Sequence, residues 1–140
     1  MSTTAILYPC FAMALITLYI SIRLTVLRHV AVLKDGLNRD FFKHNRGGKP
    51  PEYLMRNEDH YVNIYEQPVL FYIVCILVYI TGRVDPILLT LAWAYIGTRI
   101  LHGIVHLRYN RIIWRRNAFY LSTIVLFGQW GYLFAQLAYQ

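Results

Sequence analysis

Apolar residues fill four long runs of this chain, at about 5–32, 56–81, 86–107 and 117–138, separated by polar or turn-forming segments. A helix needs about 20 residues to cross the roughly 30 Å of hydrocarbon in a bilayer, and each run is long enough. The pattern predicts an all-α, integral membrane four-helix bundle formed by one domain over 1–140.

The first run carries Arg23 and Arg28 in its last third, where long cationic side chains snorkel or enter a polar cleft. A cleavable signal peptide needs a basic start and small residues at the cleavage site; here the start is uncharged and the run long, which predicts a retained helix. Residues 34–56 are polar and basic, and their Arg46-Gly47-Gly48-Lys49-Pro50-Pro51 cluster cannot continue a helix. The second helix is expected to begin near 52–56, polar in its first half and almost wholly apolar over 69–80. Gly82-Arg83-Val84-Asp85-Pro86 then predicts a tight turn, with Asp85 as N-cap and Pro86 at the first helical position of the third helix. Arg108, Arg111, Arg115 and Arg116 fill the next connection, before an uncharged fourth helix.

Composition strengthens the membrane reading, because 57% of residues are hydrophobic and only 15% charged. The net charge of +7 comes from 14 Lys and Arg against 7 Asp and Glu. Nearly all of these cations lie in the first and third connections or at the adjoining helix end, with Arg83 and Arg99 as exceptions. By the positive-inside tendency both basic connections are cytoplasmic and both termini lie on the opposite side. The charge therefore reflects topology, and no nucleic-acid partner is expected. Cys10 and Cys75 fall inside predicted spans with no CxxC spacing, as packing residues do. The aromatic content of 16% fits interface belts and packing.

Two spans carry polar stripes. On the second, Arg56, Asp59, Asn63, Glu66 and Leu70 recur at steps of three and four and share a face. Gln67 borders the stripe, and Pro68 frees the carbonyl of Ile64 one turn back. On the third, Arg99, His102, His106 and Asn110 share a face. An ionisable residue inside a span costs at least a few kcal/mol, so these stripes face a bundle interior or a cleft. They either pair with one another to hold the bundle together or mark a site. His102 and His106 with Glu66 outline an iron or zinc constellation, but HExxH is missing and the arginines would repel a cation, so no metal is expected.

In this order along four spans, these residues resemble the family of membrane-associated proteins in eicosanoid and glutathione metabolism (MAPEG), in a short, bacterial-like form. Asn63-Ile64-Tyr65-Glu66-Gln67-Pro68-Val69-Leu70-Phe71 is similar to the family's Asn-x-x-Glu, proline and apolar run on helix two. Arg99-Ile100-Leu101-His102, with His106, is similar to its Arg-x-x-His on helix three. Arg115 and Arg116 stand where members place the cation or hydroxyl that activates the thiol, and Arg28 resembles the arginine near the end of helix one.

The resemblance implies a homotrimer in a bacterial inner membrane, with glutathione as co-substrate between subunits and a lipophilic small molecule arriving through the membrane lipids. Glutathione carries two carboxylates, an ammonium and a thiol, so its site needs several cations, one carboxylate and a group that lowers the thiol pKa. The resemblance assigns the ammonium to Glu66, the carboxylates to Arg28, Arg99 and Arg111, and an orienting role to Asn63. His102 and His106 complete the binding set, and Arg115 or Arg116 stabilises the thiolate that attacks in conjugation or peroxide reduction. The chain departs from the family at Asp59, where members carry an arginine, and at Tyr61, where a second cation or histidine often lies; Arg56 is the candidate replacement. His106 also stands where some members have tyrosine. These departures leave a second reading beside the enzyme: a non-catalytic scaffold or complex subunit that binds lipid or another anion on the same fold.

Overall fold

The computed structural model describes residues 2–44, 48–109 and 111–139; Arg46, Gly47 and Asn110, named above, lie outside them. A 3-10 turn at Thr3–Ile6 leads into α1 (Leu7–Leu33), followed by the short α2 (Phe41–His44), α3 (Glu52–Ile80), α4 (Pro86–Ile104) and α5 (Ile112–Ala138). Four helical stretches, Thr3–Lys34, Glu52–Ile80, Pro86–Tyr109 and Ile112–Ala138, are long and apolar enough to cross a membrane. No strand occurs among the described residues.

The hairpin between α3 and α4 forms as its sequence predicts. Gly82 adopts φ +67, the left-handed conformation that glycine reaches without strain. It allows the Arg83 N–H to reach the Val78 carbonyl and the Gly82 N–H to reach that of Tyr79, both at 3.2 Å, a Schellman closure of α3. Asp85 then caps α4, its Oδ1 accepting from the Leu88 N–H at 2.7 Å, with Pro86 directly after it. The other carboxylate oxygen of Asp85 accepts from Tyr132 at 2.9 Å and Gln136 at 2.5 Å, which pins the end of α5 to the same turn.

In the bundle α1 packs along α3 and α4 along α5, and the two pairs close on a core that includes Met13, Ile64, Phe71, Val74, Leu88, Tyr95 and Leu126. Phe71 and Tyr95 stack at 4.5 Å between ring centroids. Lipid tails are as apolar as leucine, so burying these residues against each other gains close packing rather than transfer from water. Specific association must then come from polar contacts and from small residues that let helices approach.

Three features depart from the sequence pattern. The long first connection contains α2, whose Phe41 is buried with Leu24, Ala31, Leu37 and Leu54 in a second, smaller cluster. The end of α4 widens into a π turn at Val105–Tyr109, which carries His106 inward. Helix α5 starts at Ile112, ahead of the expected 117, because Ile112, Ile113 and Trp114 extend the helical run. Arg115 and Arg116 therefore lie at the start of a helix, where the family resemblance puts them, and not in the connection to which the charge pattern assigns them.

Candidate functional site

The interior polar layer is built around Gln67, which reaches both α4 and α5. Its Oε1 accepts from Arg99 Nη1 at 3.3 Å and from the Ser122 hydroxyl at 3.1 Å, and its Nε2 donates to Thr123 Oγ1 at 2.5 Å. Arg99 is 1% exposed, and its Nη2 donates to the backbone carbonyl of Asn63 at 2.8 Å. The carbonyl taken by Arg99 lies one residue before that of Ile64, the position opposite the missing Pro68 N–H. All its observed acceptors are neutral, and its Nε has no partner.

Beside this layer His102 and His106 are buried, and a third imidazole joins them. His60 of α3 lies 6.1 Å from His102 and 5.4 Å from His106 between ring centroids, and the latter two are 5.7 Å apart. The ring planes lie 21° to 30° apart, and none of the six ring nitrogens has a hydrogen-bond partner among the described residues. Gly103 makes room for them, since a Cβ there would lie 3.1 Å from His60 Nε2. No group of three or more His, Cys, Asp or Glu among the described residues is arranged to hold a metal ion.

The α3 stripe divides between interior and surface. Asp59 and Glu66 are exposed, whereas Asn63 and Arg56 are half-buried. Asn63 turns its amide onto its own helix, Nδ2 donating to the Asp59 carbonyl at 2.8 Å. Arg56 pairs with Glu52 one turn earlier. Glu66 stands halfway along α3 among the exposed apolar side chains of Val62, Tyr65, Val69 and Leu70, and no hydrogen bond or ion pair reaches it from the described residues.

Of the remaining cations, Arg115 lies beside His102 and His106, and the others stand farther out. Arg28 pairs with Glu58 through Nη2 at 3.0 Å and Nε at 3.2 Å, and covers the Phe42 ring. Arg111 and Arg116 are exposed, Arg115 is half-buried, and no carboxylate among the described residues lies within ion-pair distance of any of the three. Arg111 borders an apolar cleft of about 770 Å³ where the end of α4 meets the start of α5, with Leu101, Ile104, Tyr109, Trp114 and Leu121. Arg28 and Arg99 border two other clefts. The fold thus brings Arg99, His102 and His106 together with Arg115 beside them, while Glu66, Arg111 and Arg116 are exposed and Arg28 pairs with Glu58. The stripe reading passed over His60, which sits on the inward face of α3 with Leu54 and Ile64; a histidine in register with the apolar positions was the available signal.

Four apolar helices closed around a buried arginine, glutamine and histidine layer define an integral membrane protein with a polar interior. The MAPEG family model matches residues 6–135, nearly the whole chain, and the protein belongs to that family. No curated protein and no solved structure matches the chain.

Proposed function

We propose that the protein is a glutathione-dependent transferase or peroxidase acting on lipophilic electrophiles, working as a homotrimer with each site shared between neighbouring subunits. The observation that carries this reading is Glu66, a carboxylate halfway along a helix long and apolar enough to span a membrane, exposed and without an ion-pair partner among the described residues. A charge at that depth requires a partner from outside the chain, and the ammonium of glutathione, brought by a second subunit, supplies one.

In this arrangement Glu66 takes the ammonium, and Arg28 and Arg111 take the carboxylates. Arg28 is available because its pairing with Glu58 is partly exposed and such pairs are weak. Arg115 and Arg116 occupy the start of α5, where the helix dipole disfavours cations and favours an anion. A thiolate there gains from both the dipole and the guanidinium groups, and the thiol proton leaves to water. The sulfur then forms a bond to an electrophilic carbon as the leaving group departs with its electron pair. With a hydroperoxide it takes the terminal oxygen, releasing the alcohol, and a second glutathione converts the sulfenic acid to disulfide and water. The apolar cleft beside Arg111 suits the lipophilic partner.

One observation favours the non-catalytic alternative: Arg99, Arg28 and Arg56 all have partners within the protomer, and Asp59 presents an acid where a carboxylate ligand would approach. Calorimetric titration of the detergent-purified protein with glutathione, followed by ultraviolet absorbance of the thiolate, separates the readings. Saturable binding with a thiolate signal at neutral pH is expected; no binding at millimolar glutathione would move the weight to a scaffold.

A further inference from the structure

Between α1 and α4 lies a cleft of about 610 Å³ bordered by Arg23, Arg99, Arg108 and His60. That volume falls within the roughly 300–1,000 Å³ of small-molecule sites. No Asp or Glu lines it, and neither Arg23 nor Arg108 has a carboxylate within ion-pair distance among the described residues. His60 and Arg99, 2% and 1% exposed, leave both imidazole nitrogens and the guanidinium Nε unpartnered. Three arginines therefore line one cleft between helices long and apolar enough to span a membrane, with no carboxylate among the described residues to balance them, an arrangement that lipid penalises.

Apolar side chains line the same cleft: Ile16 and Ile20 lie one to two turns before Arg23 on α1, and Ile100 and Ile104 lie between Arg99 and Arg108 along the α4 wall. A cleft that combines guanidinium groups with aliphatic walls matches a phosphate that carries a hydrocarbon chain.

We propose that this cleft binds the phosphate headgroup of an anionic membrane phospholipid, with one acyl chain along Ile16, Ile20 and Ile104. The lipid supplies a counterion for these cations; the site shares Arg99 with the carboxylate-binding set that the family resemblance implies, while Arg23, Arg108 and His60 lie outside that set. Arg23 and Arg108 hold the phosphate, while Arg99 Nε and His60 close its inner side.

The test uses the full chain in phosphatidylcholine nanodiscs containing trace spin-labelled phosphatidylglycerol or, in parallel, spin-labelled phosphatidylcholine. Electron paramagnetic resonance of the immobilised fraction is expected to show phosphatidylglycerol preferred about 30-fold, as two nearby arginines imply. Arg23→Gln with Arg108→Gln should abolish the preference, and Arg111→Gln with Arg116→Gln should retain it. A diazirine-bearing phosphatidylglycerol should label peptides 16–23 and 100–108 of the unaltered protein, which checks the site without any substitution. Equal partition of the two lipids, labelling spread over every helix, or a preference lost only with the α5 arginines would overturn the proposal. Displacement of the lipid by inorganic phosphate would also overturn it, by identifying free phosphate as the ligand.

Discussion

The interior polar layer and the outward-facing charges belong to the same helices, yet they satisfy their polar groups differently. Inside, Gln67 bridges Arg99 to Ser122 and Thr123, so three helices share one set of hydrogen bonds. Outside, Glu66 on α3 and Arg111 and Arg116 around the start of α5 find no ion-pair partner among the described residues. Groups satisfied within the bundle hold the fold, whereas under the proposed function the open groups serve the ligand. Substitutions in the two regions should therefore fail in different ways.

The largest effect is expected at the start of α5. Arg115→Ala with Arg116→Ala should reduce kcat/KM toward a lipophilic electrophile by about 100-fold, the scale on which removing transition-state charge stabilisation acts. Circular dichroism and unfolding in sodium dodecyl sulfate should stay unchanged. A stability loss with activity intact would reverse the comparison, making these arginines structural.

The opposite pattern is expected for Arg99→Met. Interhelical hydrogen bonds in membranes contribute about 0.6 kcal/mol on average and up to about 1.7 each, so losing two should lower unfolding stability by about 2 kcal/mol. Combined with Gln67→Leu, the loss should be smaller than the sum, because both substitutions remove the same bond. Additive losses would show that Gln67 and Arg99 are not coupled. Unaltered stability with weakened glutathione binding would place Arg99 on the ligand instead.

The sequence makes the membrane helices legible for a physical reason: long apolar runs leave little choice in lipid, where every backbone group must be satisfied within the segment. The hairpin was equally legible, since Asp85 and Pro86 are local signals that need no tertiary information. Helix α2 was not, because four residues cannot sustain a helix alone and depend on Phe41 packing beneath Leu24 and Leu54. The start of α5 was obscured because the four arginines suggested a solvated connection, although Ile112 to Trp114 continue the helix. Within the site, spacing placed Arg99, His102 and His106 on one face, but their meeting with His60 depends on the room left by Gly103, which periodicity does not encode.

A smaller effect isolates that close approach. Gly103→Ala puts a Cβ 3.1 Å from His60 Nε2, and overpacking of this kind costs about 1 kcal/mol or more. Adding His60→Ala should recover most of the loss in the same unfolding assay. If His60→Ala fails to rescue Gly103→Ala, contact between the two is not the cause.

The smallest effect tests the boundary between the two regions, where Arg28 pairs with Glu58 and the side chains are 45% and 23% exposed. Partly exposed pairs contribute about 0.2–1 kcal/mol, so Glu58→Gln should barely change unfolding. The same substitution removes the intramolecular competitor for the Arg28 guanidinium. If Arg28 exchanges Glu58 for a glutathione carboxylate, affinity for glutathione should rise about two- to threefold, the equivalent of ~0.5 kcal/mol. Added salt should shrink the gain, because it screens the competitor in the unaltered protein as well. A gain that persists at high salt, or no gain with glutathione still bound, would keep Arg28 with the groups that serve the fold and leave Arg111 as the outward cation for the carboxylates.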